Sequence, residues 1–201
     1  MNYDSNALLA WVLCVQARLG EERGHLDRLD AEIGDGDHGS NLSRGFSKVV
    51  EKLQGASPGS PAVLLKEVAM TLISTVGGAS GPLYGTFFLE AAKAMGTTAS
   101  FSPEELARCL QNGIAGIQRL GKASAGDKTM LDALIPAVDA LATHGSATDA
   151  ARSAEEGLAA TIPLQARKGR ASYLGVRSIG HADPGAASTA LLFACLAKAG
   201  S

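Results

Sequence analysis

Apolar residues recur along this chain at intervals of three and four, and strict apolar-polar alternation is hard to find. That is the periodicity of amphipathic helices and not of strands. Leu8, Val12, Val15 and Leu19 form one stripe, Leu65, Val68, Ala69, Leu72 and Val76 a second, and Leu106, Cys109, Leu110, Gly113 and Ile117 a third. Start and stop signals divide further segments. Ser60-Pro61 and Ser102-Pro103 open helices, with Glu105 completing a capping box; Asp127 precedes "KTMLDALIPAVDAL" as a cap, and Gly145 follows "ALATH".

Together these signals predict about eight helices, over 5–23, 39–53, 61–76, 81–95, 103–120, 128–143, 148–167 and 185–199. The expected class is all-α, and short connections make sequential helices antiparallel neighbours. Two connections are longer than the usual link between helices, Gly24 to His38 and Lys168 to Pro184. Long loops on a compact helical frame are where function tends to sit. With no charged or proline-rich linker, residues 1–201 read as a single domain.

Composition narrows the functions. A formal charge of -2 supplies no basic field for nucleic acid, and 4% aromatic content leaves few stacking platforms. No nucleic-acid partner is expected. Cys14, Cys109 and Cys195 lie in apolar helical patterns, an odd and scattered set that reads as buried thiols in a reducing cytoplasm. The first twenty residues lack the basic cluster of a secretory signal, and the apolar run near "AALLFACLAKAG" is too short to span a bilayer. The expected location is therefore cytoplasmic, with no membrane partner.

The most informative stretch is "LDAEIGDGDHGSN". Its G-x-G-x-x-G spacing at Gly34, Gly36 and Gly39 imitates a dinucleotide turn, but no strand precedes it and two aspartates interrupt it. A calcium hand fails too, because the loop lacks ligands at the required positions. Asp30, Asp35 and Asp37 crowd three carboxylates onto a turn that the glycines allow to bend sharply. A hard divalent cation relieves their repulsion, and magnesium in such a site keeps positions open for phosphate; a solvated acidic turn is the bland alternative. The helix that follows offers the backbone N–H groups of Gly39, Ser40 and Asn41 to an anion, with the His38 and Asn41 side chains beside them.

Three other stretches stand out. In "STVGGASGPLYGTFF" Ser80 reads as a helix cap before Pro82, making a second anion site or an ordinary turn. "GIQRLGKAS" misses a P-loop, since Ala123 replaces the hydroxyl residue and a helix precedes it; "GKASAGDKTM" borders a nucleotide or is simply a turn. "QARKGRASYLGVRSIGHADPGA" carries Arg167, Lys168, Arg170 and Arg177, either a cationic lid over phosphates or a solvated basic loop. His181 and Asp183 have no evident catalytic partner in sequence, and their catalytic role stays open.

These four segments together resemble the nucleotide-binding L subunit of dihydroxyacetone kinase, and they span nearly the whole chain. The resemblance implies a closed up-and-down barrel of eight helices with the nucleotide at one end. It implies that Asp30, Asp35 and Asp37 hold two magnesium ions on the phosphates of ADP or ATP. His38, Gly39, Ser40, Asn41, Ala79, Ser80, Gly121, Met130, Arg170, Asp183, Pro184 and Gly185 would line the nucleotide site, with Leu83 and Met130 clamping the base. The implied partners are a dihydroxyacetone-binding K subunit and a phosphohistidine carrier of the M type; a transcription regulator and a homodimer are left open. Phosphoryl transfer asks mainly for position and charge neutralisation, so no nucleophile is needed from this chain. A regulatory module that senses nucleotide state, or an ATP-dependent kinase subunit for a related polyol, is the alternative reading.

Overall fold

The computed structural model describes residues 2–54 and 59–199. The ends of the expected 1–201 domain, Met1, Gly200 and Ser201, lie outside these. Among the described residues there are nine α-helices: α1 (Ser5–Glu21), α2 (Arg23–Ile33), α3 (His38–Leu53), α4 (Pro61–Thr75), α5 (Ser80–Met95), α6 (Pro103–Gly121), α7 (Leu131–His144), α8 (Ala147–Thr161) and α9 (Pro184–Ala199). A 3-10 segment covers Arg170–Ser178, and two-residue strands β1 (Tyr3–Asp4) and β2 (Ser100–Phe101) pair antiparallel, Tyr3 opposite Phe101. The fold is mostly helical, as the periodicity predicts.

Each long helix packs against its successor from α3 to α9, and α9 returns to α1, which also packs on α3. The three predicted stripes all face inward. Trp11, Phe46, Phe87 and Phe88 meet edge to face at the centre, with ring centroids 5.2–6.4 Å apart. Each such side chain removed from water contributes about 1.5–3 kcal/mol. Trp11 also donates its indole N–H to the Leu192 carbonyl at 2.8 Å, tying α1 to α9.

Local signals set the ends. Ser60 caps α4 ahead of Pro61, Ser102 and Glu105 form the reciprocal capping box of α6, and Gly145 ends α7 at φ 60°.

Several expectations need correction. The connection expected from Gly24 to His38 is largely α2, a helix held inward by only Leu26, Leu29 and Ile33. So narrow a stripe is hidden by the charges around it. The helix expected over 148–167 stops at Thr161, because Pro163 lacks an N–H and restricts the residue before it. The helix expected from 128 begins at Leu131, so Asp127 is not its cap; Asp127 instead accepts the Ser124 backbone N–H at 2.9 Å within the turn. Likewise Ser80 is the first residue of α5 after its cap Ala79, and its hydroxyl turns to His38. The expected loop after Lys168 contains the 3-10 turns, broken at Gly175.

The cysteine reading is also corrected. Cys14 of α1 and Cys195 of α9 are paired as a disulfide, with Cα atoms 5.5 Å apart, while Cys109 is a buried free thiol. Residues 181 positions apart in sequence are brought together only by the return of α9 to α1.

Candidate functional site

Up-and-down alternation places every second helix start at the same end. The first residues of α3, α5 and α9, namely His38, Ser80 and Pro184, line one cleft of about 410 Å³, together with Met130 just before α7. Helix N-termini carry partial positive charge, so their convergence favours an anion.

One wall of the cleft is acidic. Asp30 lies in the last turn of α2, and Asp35 and Asp37 lie in the loop between α2 and α3. Each offers a carboxylate oxygen within 4.8 Å of the others. Asp30 shapes this loop as well: its Oδ2 accepts the backbone N–H groups of Asp37 at 2.9 Å and His38 at 3.1 Å. Its Oδ1 stands where a Cβ on Gly34 would lie, so a side chain there would displace the Asp30 carboxylate. A compact set of hard oxygen donors suits magnesium, and three aspartates of differing exposure leave room for non-protein ligands.

Asp27, one turn before Asp30, plays a related part. Its two oxygens accept the Ser40 backbone N–H at 2.8 Å and the Ser40 hydroxyl at 2.6 Å. This brace fastens α3 to α2, and Gly39 assists by letting α3 approach Arg23 and Leu26 of α2. Gly39, Ser40 and Asn41 therefore lie behind the cleft lining. Asn41 accepts from Arg44 at 2.6 Å and is buried.

Behind the acidic wall runs a buried chain of polar groups. His38 contacts Ser80 Oγ through Nδ1 at 3.1 Å and Ser188 Oγ through Nε2 at 2.8 Å. Ser188 in turn meets the Tyr84 hydroxyl at 2.7 Å. Burial lowers the His38 pKa, and the nearby Asp30, Asp27 and Asp37 charges oppose that shift. Burial also pushes Tyr84 up to about 12.

The opposite wall starts at Asp183. Its Oδ2 accepts the Ala186 N–H at 2.7 Å, capping α9. Burial raises its pKa to about 7 despite this hydrogen bond. Nearby, Lys128 is 1% exposed and takes a left-handed φ of 61°. Its ammonium donates to the carbonyls of Thr161 at 2.7 Å, Leu164 at 3.1 Å and His181 at 2.5 Å, and lies 3.5 Å from that of Ile162. One buried cation thus joins the C-terminus of α8 to the approach to α9, and its own pKa is lowered by burial.

The basic stretch crosses the mouth. Lys168, Gly169, Arg170 and Ala171 line the cleft, and Arg170 pairs with Asp35 at 3.1 Å. His181 Nδ1 meets Glu32 of α2 at 2.9 Å. The Asp183 backbone N–H donates to the Thr161 hydroxyl at 3.0 Å. Part of the lining is apolar: Leu83, Ile117, Leu120, Ala123 and Met130. Ala79, Gly121, Asp183, Pro184 and Gly185 also border the cleft. One cleft therefore presents carboxylates that could hold a metal ion, a cationic side chain and helix starts that favour an anion, and aliphatic side chains that favour an apolar group.

Comparison with known proteins gives this geometry a family. Residues 32–198 match the DAK2 domain. The chain belongs to the DAK2 domain family. It is 46% identical to the ADP-binding subunit DhaL of the PEP-dependent dihydroxyacetone kinase of Escherichia coli, over 99% of both chains. It is 42% identical to the ADP-binding subunit DhaL of the PTS-dependent dihydroxyacetone kinase of Lactococcus lactis, over 94% of both. Among solved structures, the dihydroxyacetone kinase from C. freundii in complex with AMP-PNP and Mg2+ superposes with a TM-score of 0.81 at 31% identity. That match covers 96% of this chain and 34% of the longer one.

Sequence reasoning passed over Asp27, Lys128 as a buried staple, Tyr84 and Ser188. Asp27 lies three positions before Asp30, a signal available only once α2 is known to be a helix. Tyr84 and Ser188 lie four positions after Ser80 and Pro184, one turn inward from two helix starts, but nothing in sequence brings those helices together.

Proposed function

We propose that this chain is the nucleotide-binding subunit of a dihydroxyacetone kinase. It holds Mg-ADP or Mg-ATP and passes the terminal phosphoryl group to dihydroxyacetone bound on a separate K subunit. The observation that carries this reading is the gathering of the Asp30, Asp35 and Asp37 carboxylates at a cleft lined by three helix starts. Near-full-length similarity to two ADP-binding DhaL subunits supports it, as does the C. freundii structure with AMP-PNP and Mg2+. The adjacency of α9 to α1 is consistent with the long helices forming a closed barrel, α2 lying outside the ring.

In this reading Asp30, Asp35 and Asp37 would hold two magnesium ions, which when bound supply charge neutralisation to the phosphates. The start of α5, which has no side-chain cap, directs N–H groups at the same region, while the first N–H groups of α3 and α9 are held by Asp27, Asp30 and Asp183. Arg170 adds a positive charge at the mouth, and Leu83 and Met130 flank the base. Asp183 to Gly185 cap the far wall. No side chain of this chain needs to attack: its residues position the donor, and the acceptor hydroxyl comes from the partner subunit's substrate. The PEP-dependent and PTS-dependent relatives favour a phosphohistidine carrier that rephosphorylates ADP in place.

The test is reconstitution with a K subunit and dihydroxyacetone. Dihydroxyacetone phosphate should form when a phosphohistidine carrier is supplied, and mass spectrometry of the native protein should reveal bound adenine nucleotide. Turnover with free ATP but not with the carrier would replace the donor assignment, and no transfer with either would overturn the enzymatic reading.

A further inference from the structure

Arg44 lies one turn beyond Asn41 on α3, and its Nη2 donates to Asn41 Oδ1 at 2.6 Å. A guanidinium carries only donors, so the amide atom beside it has to be the oxygen. That contact removes the two-fold ambiguity of an asparagine side chain, and it turns Nδ2 with both hydrogens away from Arg44. The Asn41 backbone N–H is already taken by the Asp37 carbonyl at 2.8 Å. The side-chain amide is therefore the donor this residue has left for a ligand.

Its surroundings lie at the edge of the cleft. A Cβ on Gly77 would stand 3.4 Å from Asn41 Oδ1 and 3.6 Å from Nδ2, so the amide packs on the bare backbone of the turn that leads into α5. Gly77 lines the cleft, and so does His38, three positions before Asn41 on the same face of α3. Asn41 is only 7% exposed, yet Nδ2 has no acceptor among the described residues and is not sealed from solvent. A nearly buried donor without a partner is costly unless water or a ligand takes it.

We propose that Arg44 is a positioning residue for the nucleotide: by holding Asn41 Oδ1 it keeps Nδ2 directed between His38 and Gly77 as a hydrogen-bond donor to a phosphate oxygen. Without Arg44 the amide is free to turn over, and the lone pairs of Oδ1 then face the same anion. Arg44 itself is exposed and does not line the cleft, so it acts through Asn41. The phosphate partner rests on the Mg-nucleotide reading above.

Calorimetry with Mg-ADP on the wild type, Arg44→Met, Asn41→Ala and the double variant tests this route. Arg44→Met should weaken binding up to about tenfold, the scale of one hydrogen bond. In the Asn41→Ala background the same change should have no further effect. An undiminished effect there would make Arg44 a general positive charge and overturn the proposal, as would unchanged affinity in Arg44→Met. Arg44→Gln, neutral but able to donate, should bind more tightly than Arg44→Met; equal weakening of these two would also overturn it, a check that survives any folding defect of Asn41→Ala. Asn41→Asp still accepts from Arg44 but has no hydrogen to give, so its thermal midpoint should hold while Mg-ADP affinity falls at least as far as in Asn41→Ala; retained affinity would refute donation by Nδ2. Absence of Mg-ADP binding to the wild type would overturn the nucleotide reading and this role together, whereas binding with additive variants would overturn this role alone.

Discussion

Asp30 Oδ2 accepts the backbone N–H of His38 at 3.1 Å, so a side chain in the last turn of α2 caps the first residue of α3. The same carboxylate belongs to the acidic cluster. Structure and ligand chemistry therefore meet in one residue, and they separate by substitution. Asp30→Ala should lower stability by about 1–3 kcal/mol, the cost of leaving partly buried donors unpaired, and should abolish Mg-ADP binding. Asp35→Ala, at an exposed loop position, should abolish binding with little change in thermal midpoint. Parallel melting curves and Mg-ADP calorimetry check this; equal melting of the two variants would refute the bracing role.

Arg170 and Asp35 pair at 3.1 Å with both side chains largely exposed, and such pairs contribute only about 0–1 kcal/mol. Arg170→Ala should leave the melting temperature within a degree or two and weaken nucleotide binding, with a reduced dependence of affinity on salt. Titrations at two ionic strengths give the answer, and an unaltered salt dependence would mean that Arg170 does not face the ligand.

Lys128 satisfies backbone carbonyls at both ends of the segment that crosses the cleft mouth. Lys128→Met keeps much of the volume but strands those carbonyls in a dry site. The expected loss is about 3 kcal/mol in denaturant unfolding. Amide exchange should accelerate most strongly between residues 162 and 183; uniform acceleration throughout the chain would contradict the staple.

Asp183 has its pKa raised to about 7 by burial, from an ordinary value of 3.8. The folded state therefore binds more protons than the unfolded state between these values. Stability from this group is full below about pH 4 and declines as pH rises through 7. Asp183→Asn preserves a helix cap without the charge, so it should flatten that decline and be more stable than the wild type at pH 8. Unfolding free energies at pH 5 and pH 8 test the sign.

The Cys14–Cys195 disulfide joins the first and last helices. In denaturant without reductant, thiol titration should find one free group, Cys109, and reduction should cost about 2–4 kcal/mol of stability. Three free thiols before reduction would exclude the pair.

Helices with broad apolar stripes and strong punctuation were legible from sequence because their physics is local. Ser102-Pro103 with Glu105 satisfies its own backbone groups, and Pro61 sets its own dihedral, whatever the rest of the chain does. The aspartate loop was legible for a similar reason, since three like charges within eight positions state a conflict that needs a counter-charge. The α2 helix was not legible, because Leu26, Leu29 and Ile33 become a stripe only against the helices and strap that cover them. Pro163 is itself a local stop signal, two residues beyond the end of α8 at Thr161.

Everything that depends on two distant segments was decided by the tertiary structure. The sequence by itself determined the all-helical class, most helix starts and the chemistry of the acidic turn. Only packing brought His38 to Ser188, 150 positions away, Arg170 to Asp35, and Cys14 to Cys195. The physical reason is range: caps, turns and helical periodicity act within a few residues, whereas the cleft is made by alternating helices whose starts share one end.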